Sequence, residues 1–177
     1  MKMKFFKIKA GFTLVELMAV TTIVTSLPLG AYRAVGKAKE VFCHNNLSQI
    51  YQALTIFMIE NNDRLPSACF YPENSTEPKS IANILRPYLG TKEVFICPSL
   101  PGQLKEKGIT YIWNDQFNNQ SPDHIPNNDQ QWLMMEMTAV SEEIPPPHSS
   151  GYSILYLDGH IETKPRPPDL KKDAVSE

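Results

Sequence analysis

The chain has 177 residues, 42% hydrophobic and 20% charged, with a formal net charge of −2. That length supports one modest domain with a buried core, and the near-neutral balance argues against a nucleic-acid binder and against wholesale disorder. Three cysteines are too few for a miniprotein built on disulfides, and fourteen of the fifteen prolines follow residue 60, which predicts a loop-rich C-terminal two-thirds.

The first segment is basic. Lys2, Lys4, Lys7 and Lys9 all precede the first acid, Glu16. Without residues 1–11 the side chains would balance at 13 basic against 19 acidic. Residues 1–11 therefore read as a leader of different character from the rest. From Phe12 to Leu29 the chain runs FTLVELMAVTTIVTSLPL, 18 residues with Glu16 as the single charge. As a helix this covers roughly 27 Å, close to the hydrocarbon thickness of a bilayer. The flanking lysines predict a cytoplasmic N-terminus. A cleaved secretory signal fits less well, because the run is long and no small-x-small site follows it cleanly. A carboxylate held deep and charged in such a span costs on the order of 2.5–3.5 kcal/mol, so Glu16 needs a partner. No basic residue lies in the span, but a cut between Gly11 and Phe12 would create an α-amine four residues away.

Further along, Cys43, Leu47, Ile50, Leu54 and Phe57 recur at spacings of four and three, one face of an amphipathic helix. Asn45, Gln49 and Gln52 fall on the other side, and Asn61-Asn62-Asp63 with Pro66 ends the pattern. One helix is predicted from Phe12 to about Asn61, kinked at Pro28, where a backbone hydrogen bond is lost. Residues 80–90 read as a short helix shortened by Pro87 and capped by Gly90. Val94–Pro98 is an apolar run stopped by proline. Residues 109–113 and 132–137 read as strands. Residues 114–130 read as a long polar loop. Tyr152–Glu162 reads as strand, Asp-Gly turn and strand, a strong hairpin signal of the type I′ kind. Residues 164–177, charged and proline-rich, read as a loose tail. The expected fold class is α+β: a long N-terminal helix, membrane-spanning in its first half, packed on a small antiparallel sheet.

Lys9-Ala10-Gly11-Phe12-Thr13-Leu14-Val15-Glu16-Leu17 resembles the processing motif of type IV pilins and type II secretion pseudopilins. The resemblance implies cleavage after Gly11 by a membrane aspartyl peptidase, methylation of the new N-terminal Phe12, and a role for Glu16 in assembly. Pro28 resembles the family's helix-kinking proline. The implied partition is a leader at 1–11, a transmembrane and filament-core helix at 12–31, an amphipathic helix with a globular head at 32–163, and a tail at 164–177. The implied place is the bacterial inner membrane, single-pass, with the head on the periplasmic side and later in an extracytoplasmic filament. The implied partners are copies of the chain, other pilins, the prepilin peptidase and an inner-membrane assembly platform, with no nucleic acid.

A second resemblance lies in the head. His148 stands nine residues before Asp158-Gly159, similar to the H-X9-DG element of a branch of pilin-like proteins. The stretches Cys43–Ile50 and Phe95–Ser99 also look like that branch, whose heads are usually longer. The head would then face an oxidising space, where disulfides persist. Cys43 and Cys97 lie in the branch-like stretches and form the favoured pair; Cys69–Cys97 is the rival, and three reduced thiols remain open. His148, Asp158 and His160 could meet at one end of the hairpin as a metal or catalytic site, could form a local His148–Asp158 hydrogen bond, or could reflect turn chemistry alone, which favours Asp and Gly for backbone reasons. Some pseudopilins hold calcium in an Asp-rich loop. Asp115, Asp123 and Asp129 sit in a polar loop here at a spacing that fits no ligand pattern, so no cofactor is expected beyond calcium as a candidate. No P-loop, HExxH, GxSxG or paired CxxC is present, and no enzyme is expected. The expected function is a structural pilin or pseudopilin subunit of a type IV pilus-like or type II secretion filament. The alternatives are a minor pilin that primes or caps the filament, and a membrane-tethered ligand-binding head using His148, Asp158 and His160.

Overall fold

The structure, a computed structural model, describes residues 13–168 and 170, and for residues 24–30 the backbone alone. The expected leader 1–11, the expected cut between Gly11 and Phe12, and residues 169 and 171–177 of the expected tail lie outside the described residues. The chain divides into two units, one running to Val35 and one from Gly36 onward.

Helix α1 runs Leu14–Glu60, 47 residues. Its start is a capping box. The Thr13 backbone N–H and hydroxyl both donate to Glu16 Oε2 at 2.8 Å, and the Glu16 N–H donates back to Thr13 Oγ1 at 3.3 Å. In the first unit Leu14, Val15, Leu17, Met18, Val20 and Ile23 are all exposed. Pro28 falls within α1, among the positions whose side chains are not described. The expected membrane span is corrected here. Among the described residues no helix is long and apolar enough to cross a membrane. Glu16, Thr21 and Thr22 interrupt the early turns of α1, and Arg33, Lys37, Lys39 and Glu40 follow. The fold expectation with a membrane-spanning first half is therefore not supported, and neither is the single-pass inner-membrane location drawn from it.

In the second unit α1 becomes one-sided, as its spacing predicts. Cys43, Leu47, Ile50 and Leu54 are fully buried, Phe57 is half-buried, and Asn45, Gln49 and Gln52 are exposed. Burying Leu47, Ile50 and Leu54 contributes about 1.5–3 kcal/mol each. The helix stops where Asn62 and Asp63 turn left-handed, at φ of 56° and 57°. The Met58 carbonyl accepts from Asn61 N–H at 3.0 Å and Asp63 N–H at 2.8 Å, satisfying groups a helix end would leave bare.

The sheet is a four-stranded antiparallel meander in the order β1 (Tyr111–Trp113), β2 (Trp132–Glu136), β3 (Tyr152–Tyr156) and β4 (Ile161–Lys164). Strands β1, β2 and β3 are buried along their whole length, which is why they read in the sequence as apolar runs rather than as alternations. Their side chains share one core with the buried face of α1. β4 is the more exposed edge, and its Glu162 and Lys164, 3.1 Å apart, discourage further pairing. Residues 80–90 give a single α-helical turn, α2 (Ile81–Ile84), followed by a 3₁₀ turn at Arg86–Tyr88 that begins as Pro87 requires. The run before Pro98 is a 3₁₀ turn, Glu93–Phe95, and α3 covers Gly102–Lys105. The polar stretch 114–130 holds three further 3₁₀ turns, at Asp115–Phe117, Pro122–His124 and Asn128–Gln130.

The hairpin at Asp158-Gly159 is real, with Leu155 opposite Ile161 and Ile154 opposite Glu162, but its turn is not of the expected type. Gly159 N–H donates to the Tyr156 carbonyl and Tyr156 N–H to the His160 carbonyl, each at 3.0 Å. Three residues, Leu157 to Gly159, therefore form the loop, and Gly159 alone takes positive φ, at 91°. This is a type I turn closed by a glycine bulge rather than a two-residue type I′ turn. A Cβ at Gly159 would lie 2.2 Å from the Tyr51 ring of α1, so the close approach also demands glycine.

Candidate metal centre

Four distant stretches deliver polar groups to one buried point in the second unit. Helix α1 contributes Cys43 from the middle of its apolar face. The turn after Phe95 contributes Cys97, whose N–H is fixed by Thr110 Oγ1 at 2.7 Å. The last residue of β2 contributes Glu136. His148, bridged to Gly151 by paired backbone hydrogen bonds of 3.3 and 3.0 Å, arrives from the loop before β3. Gly151 takes φ of 126° there, and a Cβ on it would lie 2.0 Å from the Lys164 carbonyl oxygen. The bridge that aims His148 therefore depends on a glycine.

Cys43, Cys97, Glu136 and His148 are all buried, and one ligating atom of each lies within 4.8 Å of every other. The Cys43 thiol donates to Glu136 Oε1 at 3.1 Å, and His148 Nε2 meets the same oxygen at 3.1 Å and Cys97 Sγ at 3.6 Å. The supports behind these atoms are equally definite. Ser99 Oγ holds His148 Nδ1 at 3.2 Å, Ser153 N–H donates to Glu136 Oε2 at 2.8 Å, and the Tyr111 hydroxyl lies 3.0 Å from Cys43 Sγ. Each support points the donor's remaining atom inward.

The electrostatics separate the two thiols. Burial pushes the Cys43 thiol well up. The neighbouring Cys43 thiol and, against the opposing effect of burial, His148 hold the Cys97 thiol below its ordinary value. Burial alone would discharge His148, but Cys97 and Glu136 outweigh it and hold the imidazole up at about 9. Burial opposes charge on each of these groups, a desolvation cost that only close geometry repays.

This group could hold a metal ion. Two sulfurs, one imidazole nitrogen and one carboxylate oxygen are the donors of a soft or borderline cation, not of calcium, which takes six to eight oxygens. Asp115, Asp123 and Asp129 are not part of it, and among the described residues no second group of metal-ligating side chains converges. The favoured Cys43–Cys97 bridge is not formed. Both cysteines are free thiols, drawn instead toward Glu136 and His148, and Cys69, the rival partner of Cys97, is free and half-buried.

The site expected of His148, Asp158 and His160 is divided. The five residues of β3 stand between them, and a strand rises about 3.3 Å per residue. Asp158 Oδ1 instead accepts from His160 N–H at 3.1 Å and meets His160 Nδ1 at 2.6 Å, while the His160 ring stacks on Tyr156 at 4.2 Å. That is turn chemistry, one of the three readings open from the sequence. Glu136, and Tyr111 whose hydroxyl faces Cys43, read in the sequence only as strand residues. The signal for Glu136 was present: a lone acid closing an apolar run, the pattern that singled out Glu16.

Comparisons with known proteins find no matching family model, no matching curated protein and no matching solved structure.

Proposed function

We propose that the chain is a structural subunit of pilin or pseudopilin type, processed after Gly11 and assembled through α1 into a helical filament of identical or related subunits. The observation that carries the reading is the motif Lys9–Glu16 at the start of a 47-residue helix whose first turns expose Leu14, Val15, Leu17, Met18 and Val20. Apolar side chains exposed in this number require a covering, and neighbouring copies of the helix supply one. Each of Leu14, Val15, Leu17, Met18, Val20 and Ile23 gains about 1.5–3 kcal/mol when fully covered, less the cost of ordering the subunits. A new α-amine on Phe12 of one copy would pair with Glu16 of the next, so Glu16 carries assembly charge as well as its cap. The role is structural rather than catalytic, and its partners are other pilin-type chains and a prepilin-type peptidase.

The test is expression with such a peptidase and mass spectrometry of the mature polypeptide. It should begin at Phe12, one methyl group heavier than the bare sequence. A chain that keeps Lys2 to Lys9 overturns the reading. Gly11→Leu should leave the leader attached.

A further inference from the structure

We infer that Cys43, Cys97, Glu136 and His148 form a closed, four-ligand site for a zinc-class divalent ion that fastens α1 to the sheet of the second unit. The inference stands apart from filament assembly and rests on the geometry of the head alone.

A tetrahedral zinc ion, with sulfur at about 2.3 Å and nitrogen or oxygen at about 2.0–2.2 Å, holds its ligand atoms roughly 3.3–3.8 Å apart. Of the distances here, 3.6 Å from His148 Nε2 to Cys97 Sγ lies in that range, and 3.1 Å from Cys43 Sγ to Glu136 Oε1 and from His148 Nε2 to the same oxygen fall just short of it. No ligating pair exceeds 4.8 Å, so closure onto an ion asks for side-chain adjustment and no movement of a strand. The atoms outside the ring are already committed as a metal site needs them. Ser99 occupies His148 Nδ1 and leaves Nε2 for the ion, and Ser153 N–H occupies Glu136 Oε2 and leaves Oε1.

The chemistry balances. On binding, both cysteines ligate as thiolates and His148 as neutral imidazole, and their protons leave to solvent. Two thiolates and one carboxylate against a divalent ion leave one negative charge. The Tyr111 hydroxyl, 3.0 Å from Cys43 Sγ, and the Ser153 N–H donate into that excess. Four protein ligands, all buried, leave no open position for water or substrate, which marks a structural ion rather than a catalytic one. The same two sulfurs could instead join as a disulfide, which would consume both thiolates and abolish the site; the two outcomes exclude each other.

The experiment uses the full chain, purified without chelator and assayed for zinc and for free thiols. The reduced chain is then titrated with Co²⁺ alone. The expected result is one ion per chain, thiolate-to-cobalt charge transfer in the near ultraviolet, and the intense visible bands of a four-coordinate ion, all discharged by Zn²⁺. Cys97→Ser should remove most of the charge transfer and weaken binding by more than about 100-fold, and Ser99→Ala should weaken it by about 10-fold. The Ser99→Ala variant keeps every ligand, so it reads the site even where Cys97→Ser folds poorly. Reduced protein that takes up no ion overturns the proposal. So does native protein lighter by two hydrogens with Cys43 and Cys97 cross-linked, and so does an ion retained with unchanged spectra in Cys97→Ser.

Discussion

Glu16 and Glu136 are each the one acid in an apolar run, and the molecule treats them oppositely. Glu16 stays exposed and is satisfied from within its own turn, by the N–H and hydroxyl of Thr13. Those two bonds hold its carboxyl below the usual carboxylate range. Glu136 is fully buried and is satisfied only by residues from elsewhere: Cys43 from α1, His148 from a loop and Ser153 from β3. A local partner costs the chain nothing in tertiary order. A remote one makes the carboxylate depend on the whole head, and the head on the carboxylate. The same mark in the sequence thus stands for a helix signal in one place and a keystone in the other.

The comparison breaks most visibly at Glu136. Glu136→Ala leaves the Ser153 N–H without its acceptor and takes a shared partner from Cys43 and His148 in a dry interior, and should cost about 3–5 kcal/mol in urea unfolding. Full retention of stability would mean that His148 and Cys97 are solvated rather than buried. Gly151→Ala should come next. Its Cβ would strike the Lys164 carbonyl, and the left-handed backbone adds strain of about 1–3 kcal/mol. Because the bridge that aims His148 is lost with it, cobalt binding should fall in parallel with stability. Glu136→Gln, which keeps an acceptor for Ser153, should be milder, at about 1–2 kcal/mol, yet should still weaken metal uptake. At the small end stands Glu16→Gln. Glutamine also completes a capping box, so amide exchange in the first turns of α1 should hardly change, whereas filament yield should fall. Equal yields from the Glu and Gln proteins would show that the cap matters and the charge does not.

Much of the fold could be read from spacing alone. The face Cys43–Leu47–Ile50–Leu54 follows the 3.6-residue period, and β2 and β3 announce themselves as short apolar runs between turn residues. The Asp158-Gly159 pair located a hairpin correctly and misled on its turn, because Gly alone takes the left-handed position. The centre was legible only in pieces. Cys43, Cys97 and His148 were each singled out, but periodicity says nothing about which residues meet across separations of many tens of positions. Nine residues between His148 and Asp158 look close in a sequence, and the five of them that form β3 keep the two apart. Glu136 carries no signal of its partners, because a buried strand of Trp, Leu and Met has the same apolar pattern with or without a site at its end.

The meander joins neighbours in order, each strand to the next, but the centre draws on positions 43, 97, 136 and 148. Emerging from a ribosome at about 5–20 residues per second, the chain exposes Cys43 for roughly 5–20 s before His148 exists to shield it. During that interval Cys43 and Cys97 are bare sulfurs with nothing to hold them apart from an oxidant or from each other. An ion met in that interval finds only the two sulfurs, and the carboxylate and imidazole that complete its coordination arrive with the last third of the chain.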